Sequence, residues 1–190
     1  MLMFGDLICL TETWVKDDEI GEDLFITDYE IHPNNCDTPK GKGIIVYERK
    51  MGSIVQKVAT FNNLQITLVS LAVVDVFVIY RSASCTTARV VESISSMLNP
   101  KKAILICGDM NICFKRNKNN GLIQFLLLNG FVQKVPKATH IDGGLIDHVY
   151  FRRGVENIHA TVSLYSTYYT ANDHDALLIE LNQTFEEANM

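Results

Sequence analysis

Apolar positions along this chain fall into short runs that stop at polar turns, the spacing of a sheet-rich protein with few helices. Leu7 to Leu10 is the first run, a buried-strand pattern that ends at the polar Thr11-Glu12-Thr13. Ile20 to Lys42 collects turn formers, Pro33-Asn34-Asn35 and Pro39-Lys40-Gly41 among them, and reads as loop with one strand around Tyr29 to His32. Gly43 to Glu48, Leu64 to Ala72 and Val76 to Tyr80 are β-branched runs that predict strands. Thr86 or Thr87 can cap a helix in which Val90, Val91, Ile94, Met97 and Leu98 recur at helical spacing, with Pro100 just past its end. Ala103 to Cys107 predicts a strand and Gly121 to Asn129 a short apolar helix closed by Gly130. Strand-like runs follow at Leu145 to Phe151, Ala160 to Leu164 and Ala176 to Leu181, so the order predicts α/β layers.

Composition narrows this picture. The 190 residues, 47% of them hydrophobic, suit a single domain with a real core, and no internal repeat or low-complexity linker interrupts them. The longest apolar stretch, Leu64 to Tyr80, contains Gln65, Thr67, Ser70 and Asp75; a charge near its middle would be costly in lipid, so it reads as two strands and no membrane association is expected. A net charge of -5 argues against coating nucleic acid through bulk electrostatics, though not against an enzyme that holds phosphate through a metal. Basic residues cluster locally at Lys40/Lys42, Arg49/Lys50, Lys101/Lys102, Lys115/Arg116/Lys118 and Arg152/Arg153, where solvated surface charge is the plain reading. The five cysteines show no CxxC spacing, and Cys9, Cys85, Cys107 and Cys113 stand in or beside apolar runs. Reduced thiols and an intracellular, non-secreted protein fit that usage and the lack of a leader pattern.

Four polar signatures stand at the ends of apolar runs: Glu12 after LICL, Asp109 and Asn111 after AILICG, Asp147 and His148 in LIDHVYF, and Asp173-His174 before ALLIEL. Strand ends are where a sheet-based enzyme gathers groups from distant parts of the chain. In an extended segment Asp109 and Asn111 would share a face while Met110 packs behind, and Gly108 would let the backbone turn or approach a ligand. The same residues also read as a turn closed by an Asx hydrogen bond. A histidine acting on phosphate needs its ring fixed, and Asp147 is a candidate to fix His174, although an Asp-His pair also reads as a cap. Glu12 suits a Mg²⁺ ligand and equally a surface acid.

The order LTETW, VIYRSAS, ILICGDMN, THIDGGLIDHVYF, NDHDALLI resembles the endonuclease/exonuclease/phosphatase superfamily over nearly the whole chain. That superfamily includes apurinic/apyrimidinic endonucleases, pancreatic deoxyribonuclease and retrotransposon endonucleases. The last two segments are similar to endonuclease domains of animal mobile elements, including those fused to Helitron-type helicases. The resemblance implies two packed, mainly antiparallel β-sheets flanked by helices, a four-layer α/β sandwich, and a Mg²⁺-dependent phosphodiesterase, with Mn²⁺ as the alternative ion. It implies Glu12 as metal ligand, Tyr80 on the scissile phosphate, Asp109 and Asn111 on the attacking water, and Asp147 orienting the histidine. Asp173 is implied at the metal or the water and His174 at the pentacovalent phosphate. Arg81, which follows Tyr80, is a candidate phosphate contact or a salt-bridged strand-end residue, and Lys115, Arg116 and Lys118 are candidates for the DNA backbone.

Two departures stand out. Members of the superfamily begin with an asparagine-bearing strand ahead of the segment matching Leu7 to Glu12, so residues 1–190 are expected to be one domain lacking its first strand. Asn172 stands where serine is usual before Asp-His. DNA nicking by a monomer, within a larger mobile-element protein and in the nucleus, is the expected activity. A phosphatase or phosphodiesterase acting on inositol phosphates or phospholipid headgroups, and an inactive remnant, are the alternatives.

Overall fold

A computed structural model describes residues 5–16, 19–35, 42–49, 52–155, 157–166 and 173–183. In chain order the elements are β1 (Leu7–Thr11), a 3-10 turn (Glu22–Leu24), β2 (Glu30–Asn34), β3 (Ile44–Glu48), β4 (Ile54–Phe61), β5 (Leu64–Ser70), β6 (Val74–Arg81) and α1 (Thr87–Ser95). They continue with β7 (Ala103–Asp109), α2 (Gly121–Leu128), β8 (Val132–Gln133), β9 (Asp147–Arg152), β10 (Ile158–Tyr165) and β11 (Ala176–Gln183). Six strands form the central sheet in the order β4-β5-β6-β7-β9-β8, antiparallel except where β6 meets β7. The second β layer is hydrogen-bonded in two pieces, β1-β3-β2 and β10-β11.

Period-two alternation on the middle strands builds both cores. Phe77 and Ile79 of β6 and Ile104 and Ile106 of β7 join Val90 and Ile94 of α1 and Leu122, Ile123 and Leu126 of α2. Their neighbours Val76, Val78, Tyr80, Leu105 and Cys107 face the opposite way, against Ile44 and Val46 of β3 and Ile158 and Ala160 of β10. Both faces of these strands are buried, which is why the sequence reads there as an unbroken apolar run. The α/β class and mainly antiparallel sheets are those the resemblance implied. Among the described residues both α-helices serve one core, and the outer side of β3 meets the 3-10 turn, where the Tyr47 hydroxyl donates to the Leu24 carbonyl at 2.9 Å.

A buried asparagine ties the two β layers together. Asn34, at the end of β2, donates to the carbonyls of Ala59 (3.1 Å) and Ile66 (3.0 Å) and to Thr67 Oγ1 (3.1 Å), and accepts from Thr60 Oγ1 at 2.7 Å.

The 3-10 turn and the two-residue β8 left no pattern in the sequence, and two longer elements also differ from the sequence reading. β4 goes unread in the sequence because a register shift between Lys57 and Ala59 breaks its alternation and most of its residues are solvated. α1 stops at Ser95, a turn short of Met97 and Leu98, which still pack on the core from irregular backbone.

Candidate active site

The ends of β1, β6 and β7 and the start of β9 bring the polar signatures together. β7 and β9 are antiparallel, and their register sets Asp109 directly opposite Asp147. Two carboxyl groups from positions far apart in sequence thus become neighbours on one rim of the central sheet.

Asp109 is buried, and its Oδ1 accepts from the Asn111 backbone N–H at 2.8 Å while its Oδ2 accepts from Asn111 Nδ2 at 2.9 Å. Asn111 does not continue an extended strand: its φ is +48°, so an Asx turn, not strand alternation, brings the two side chains together. Its Nδ2 also donates to the Arg81 carbonyl at 3.0 Å. Burial first, and the Asp147 charge second, push the Asp109 carboxyl up to about 7. Gly108 serves backbone packing and not a ligand, for at φ +128° a Cβ there would stand 2.0 Å from the Ile79 carbonyl oxygen.

His174 pairs through Nδ1 with Asp147 Oδ2 at 2.8 Å, and that hydrogen bond raises its pKa to about 9. Asp147 is itself held by its backbone N–H, which donates to Thr139 Oγ1 at 3.2 Å. Asp173 is largely exposed, with Oδ1 3.8 Å from His174 Nε2 and Oδ2 3.4 Å from His140 Nε2. Desolvation, the largest single influence, opposes its charge, but its own backbone N–H and the two imidazoles together outweigh it and lower its pKa. His148, next to Asp147, points into the core instead, where its Nε2 meets the Ile112 carbonyl at 2.8 Å and burial lowers its pKa.

Glu12 has φ +54°, a left-handed conformation that holds its carboxylate just beyond β1. Its Oε1 accepts from Lys42 Nζ at 2.6 Å. That ammonium also lies 5.0 Å from the Trp14 ring centre and 5.6 Å from that of Tyr80. The Tyr80 hydroxyl is buried without a hydrogen-bond partner, and burial together with the Glu12 carboxylate raises its pKa. Among the described residues, the group whose ligand atoms lie within 4.8 Å of one another is His140, Asp173 and His174. Glu12, expected beside Asp173 at a metal, is engaged by Lys42.

Comparison of the fold with solved structures finds an AP endonuclease from Archaeoglobus fulgidus at a TM-score of 0.69 and 14% identity, covering 93% of this chain and 89% of that one. The human Nocturnin catalytic domain with bound sulfate matches at 0.62 and 10%, covering 94% and 81%. The endonuclease domain of TRAS1, a telomere-specific non-LTR retrotransposon, matches at 0.53 and 12%, covering 93% and 78%. This chain has the endonuclease/exonuclease/phosphatase fold. Comparison by sequence finds no matching family and no matching curated protein.

Within that fold, the remaining expected residues divide. Lys115, Arg116 and Lys118 are exposed on the loop that follows Asn111. Arg81 is not free for a phosphate: its guanidinium is buried, with Nη1 donating to the Met110 carbonyl at 2.8 Å and Nη2 to the carbonyls of Ala83 (3.4 Å) and Cys85. An open groove of about 650 Å³ borders the site at Lys42 and is lined by Phe61, Asn63, Ser82, Ser84 and Arg89, with no carboxylate in its wall. Sequence reasoning missed Lys42, Thr139 and His140. Lys42 stood between two glycines at the entry to a strand, a signal that it is held close to backbone; Thr139 and His140 stood in the THIDGG segment without an assigned role. Among the described residues no helix is long and apolar enough to cross a membrane.

Proposed function

We propose that this chain is a metal-dependent phosphodiesterase that hydrolyses nucleic-acid phosphodiester bonds, a DNA-nicking endonuclease of mobile-element type. The observation that carries this reading is the Asp147–His174 pair at 2.8 Å standing beside the Asp109–Asn111 pair, one poised to hold a cation and the other a water. The fold shared with nuclease structures, one of them a retrotransposon endonuclease domain, supports it.

His174, with a pKa near 9, carries a proton on both ring nitrogens at neutral pH. Nδ1–H is engaged by Asp147, and Nε2–H, which faces Asp173 Oδ1 at 3.8 Å, would donate to a non-bridging phosphate oxygen whose charge grows in the transition state. Asp109, raised to about 7, sits near the pKa suited to taking the proton of the attacking water, and Asn111 orients that water through its amide. The new O–P bond forms in line as the bond to the leaving oxygen breaks. The orphaned Tyr80 hydroxyl is a donor already desolvated beside the site.

The donors here are carboxylate and amide oxygens, the set that hard divalent cations take; burial is the first cause of the raised Asp109 pKa, and the second, the neighbouring Asp147 charge, is one a cation would relieve. Glu12, once Lys42 is displaced from its carboxylate, and Asp173 would hold Mg²⁺, or Mn²⁺, and the ion would neutralise phosphate charge. Lys115, Arg116 and Lys118 on one side and the Lys42/Arg89 groove on the other would grip the DNA backbone despite the chain's acidic total. The protein would act on DNA as a monomer, in the nucleus, as part of a larger mobile-element protein.

The test is nicking of supercoiled plasmid by purified protein in Mg²⁺, with EDTA and His174→Ala run beside it. Metal-dependent nicking that His174→Ala abolishes is the expected result. A folded protein that leaves DNA intact but hydrolyses inositol phosphates would replace this reading with a phosphatase.

A further inference from the structure

The segment Thr139 to Gly144 is a built element. Thr139 and His140 N–H both donate to the Gly144 carbonyl, at 2.9 and 3.0 Å, and Gly143 N–H donates back to the His140 carbonyl at 2.9 Å. Short hydrogen bonds stitch this turn to the Asp173-His174 segment: Ile141 N–H to the Asp173 carbonyl at 2.9 Å and Asp175 N–H to the Thr139 carbonyl at 2.7 Å. His140 and His174 face each other across this bridge with ring centres 5.0 Å apart, edge to face. The backbone therefore fixes where the His140 ring stands before any ligand arrives.

Its tautomer is biased as well. The Asp142 backbone N–H donates to His140 Nδ1 at 3.1 Å, closer than the Asp142 Oδ2 at 3.6 Å from the same nitrogen, which favours a lone pair on Nδ1 and the ring proton on Nε2. That Nε2 faces Asp173 Oδ2 at 3.4 Å. The spacing of His140, Asp173 and His174 also suits a metal ion. Coordination through His140 Nε2, however, would need the ring proton on Nδ1, against the Asp142 N–H. With Nδ1 facing the Asp142 N–H, an Nε2–H would face Asp173 Oδ2 at 3.4 Å instead.

We propose that His140 is a positioning residue: its Nε2–H holds Oδ2 of Asp173, so that a carboxylate otherwise exposed on a chain segment keeps Oδ1 turned toward His174 and the reacting phosphate. This rests on the phosphodiesterase reading for its catalytic meaning, but the contact itself does not. An aspartate that is 62% exposed would sample several rotamers without such a partner, and turnover would fall with the fraction correctly aimed.

Two variants separate the donor from the ring. His140→Phe keeps an aromatic ring against His174 without the N–H; His140→Gln keeps an N–H at a similar reach without the ring. In plasmid nicking, His140→Phe is expected to lose about 10- to 100-fold in kcat with KM for DNA little changed, and His140→Gln to recover most of it. Unchanged turnover in His140→Phe, or equal loss in both variants despite native melting temperatures, would overturn the proposal. A second readout is independent of activity: imidazole nitrogen resonances of the wild-type protein should report His140 protonated on Nε2, with a signal that moves in Asp173→Asn. A proton on Nδ1, or no response to Asp173→Asn, refutes the contact. Wild-type protein that nicks no DNA yet gives these resonances would defeat the functional reading while leaving the His140–Asp173 contact standing.

Discussion

Replacing Asp147 by Asn removes the charge that sustains the His174 cation while keeping the side chain's shape. The backbone N–H of residue 147 still donates to Thr139 Oγ1, so the rim of β9 should stay in place. Asp147 is the leading cause of the rise in His174 from 6.5 to about 9. Without it the ring should return to near its ordinary value, and at about pH 8 the protonated fraction would drop from about nine-tenths to about 3%, a loss of about 30-fold in the active form. At about pH 6 the two proteins would be charged to within about 25% of each other. The rate deficit of Asp147→Asn should therefore widen by more than tenfold between about pH 6 and pH 8. Asp109 titrates in the same range, and losing the Asp147 charge lets it ionise at lower pH; that favours the variant at about pH 6 and widens the deficit in the same direction. A deficit of constant size across that range would refute the claim that Asp147 acts by sustaining a cation. Stability provides a check of sign. The folded pKa of His174 exceeds the unfolded one, so its contribution is complete below about 6.5 and lost as pH rises through about 9. The melting-temperature gap between wild type and Asp147→Asn should close on that alkaline side.

Other predictions follow from the same geometry. The Asp109 carboxyl is raised from 3.8 to about 7, so its ionisation destabilises the fold increasingly as pH climbs between those values. Asp109→Asn should thus melt higher than wild type at pH 8 while losing nicking activity; a lower melting temperature there would count against the burial argument. Replacing Lys115, Arg116 and Lys118 together by Ala should raise KM for DNA and cut the slope of log KM against log salt by up to about 3, whereas an unchanged slope would remove that loop from the DNA surface. Asn34→Ala should lower stability by about 2–4 kcal/mol in urea unfolding, because it leaves two carbonyls and two hydroxyls without the amide that spans the β layers.

Much of the scaffold was legible in the sequence because strand burial leaves a direct trace. β6 and β7 are wrapped on both faces, so their central side chains had to be apolar, and the runs marked them; β5 is as buried but carries Gln65 and Thr67 among its apolar residues. Glu12, Asp109, Asn111, Asp147 and Asp173-His174 were legible for the complementary reason: polar groups placed directly at the ends of such runs lie on a rim, where they can meet one another and water. β4 left no such trace, being solvated and interrupted by a bulge.

What each polar side chain touches was decided by tertiary structure alone. Arg81 could aim at a phosphate or turn inward, and the carbonyls of Met110, Ala83 and Cys85 capture it. Lys42 looked like surface charge until the start of β3 brought it to Glu12, 30 positions away. His140 gained its partner only because a single β-bridge pairs it with His174. Composition and period fix which residues are buried and which stand at a rim; strand register fixes who faces whom, and a shift of one residue between β7 and β9 would turn Asp147 away from Asp109.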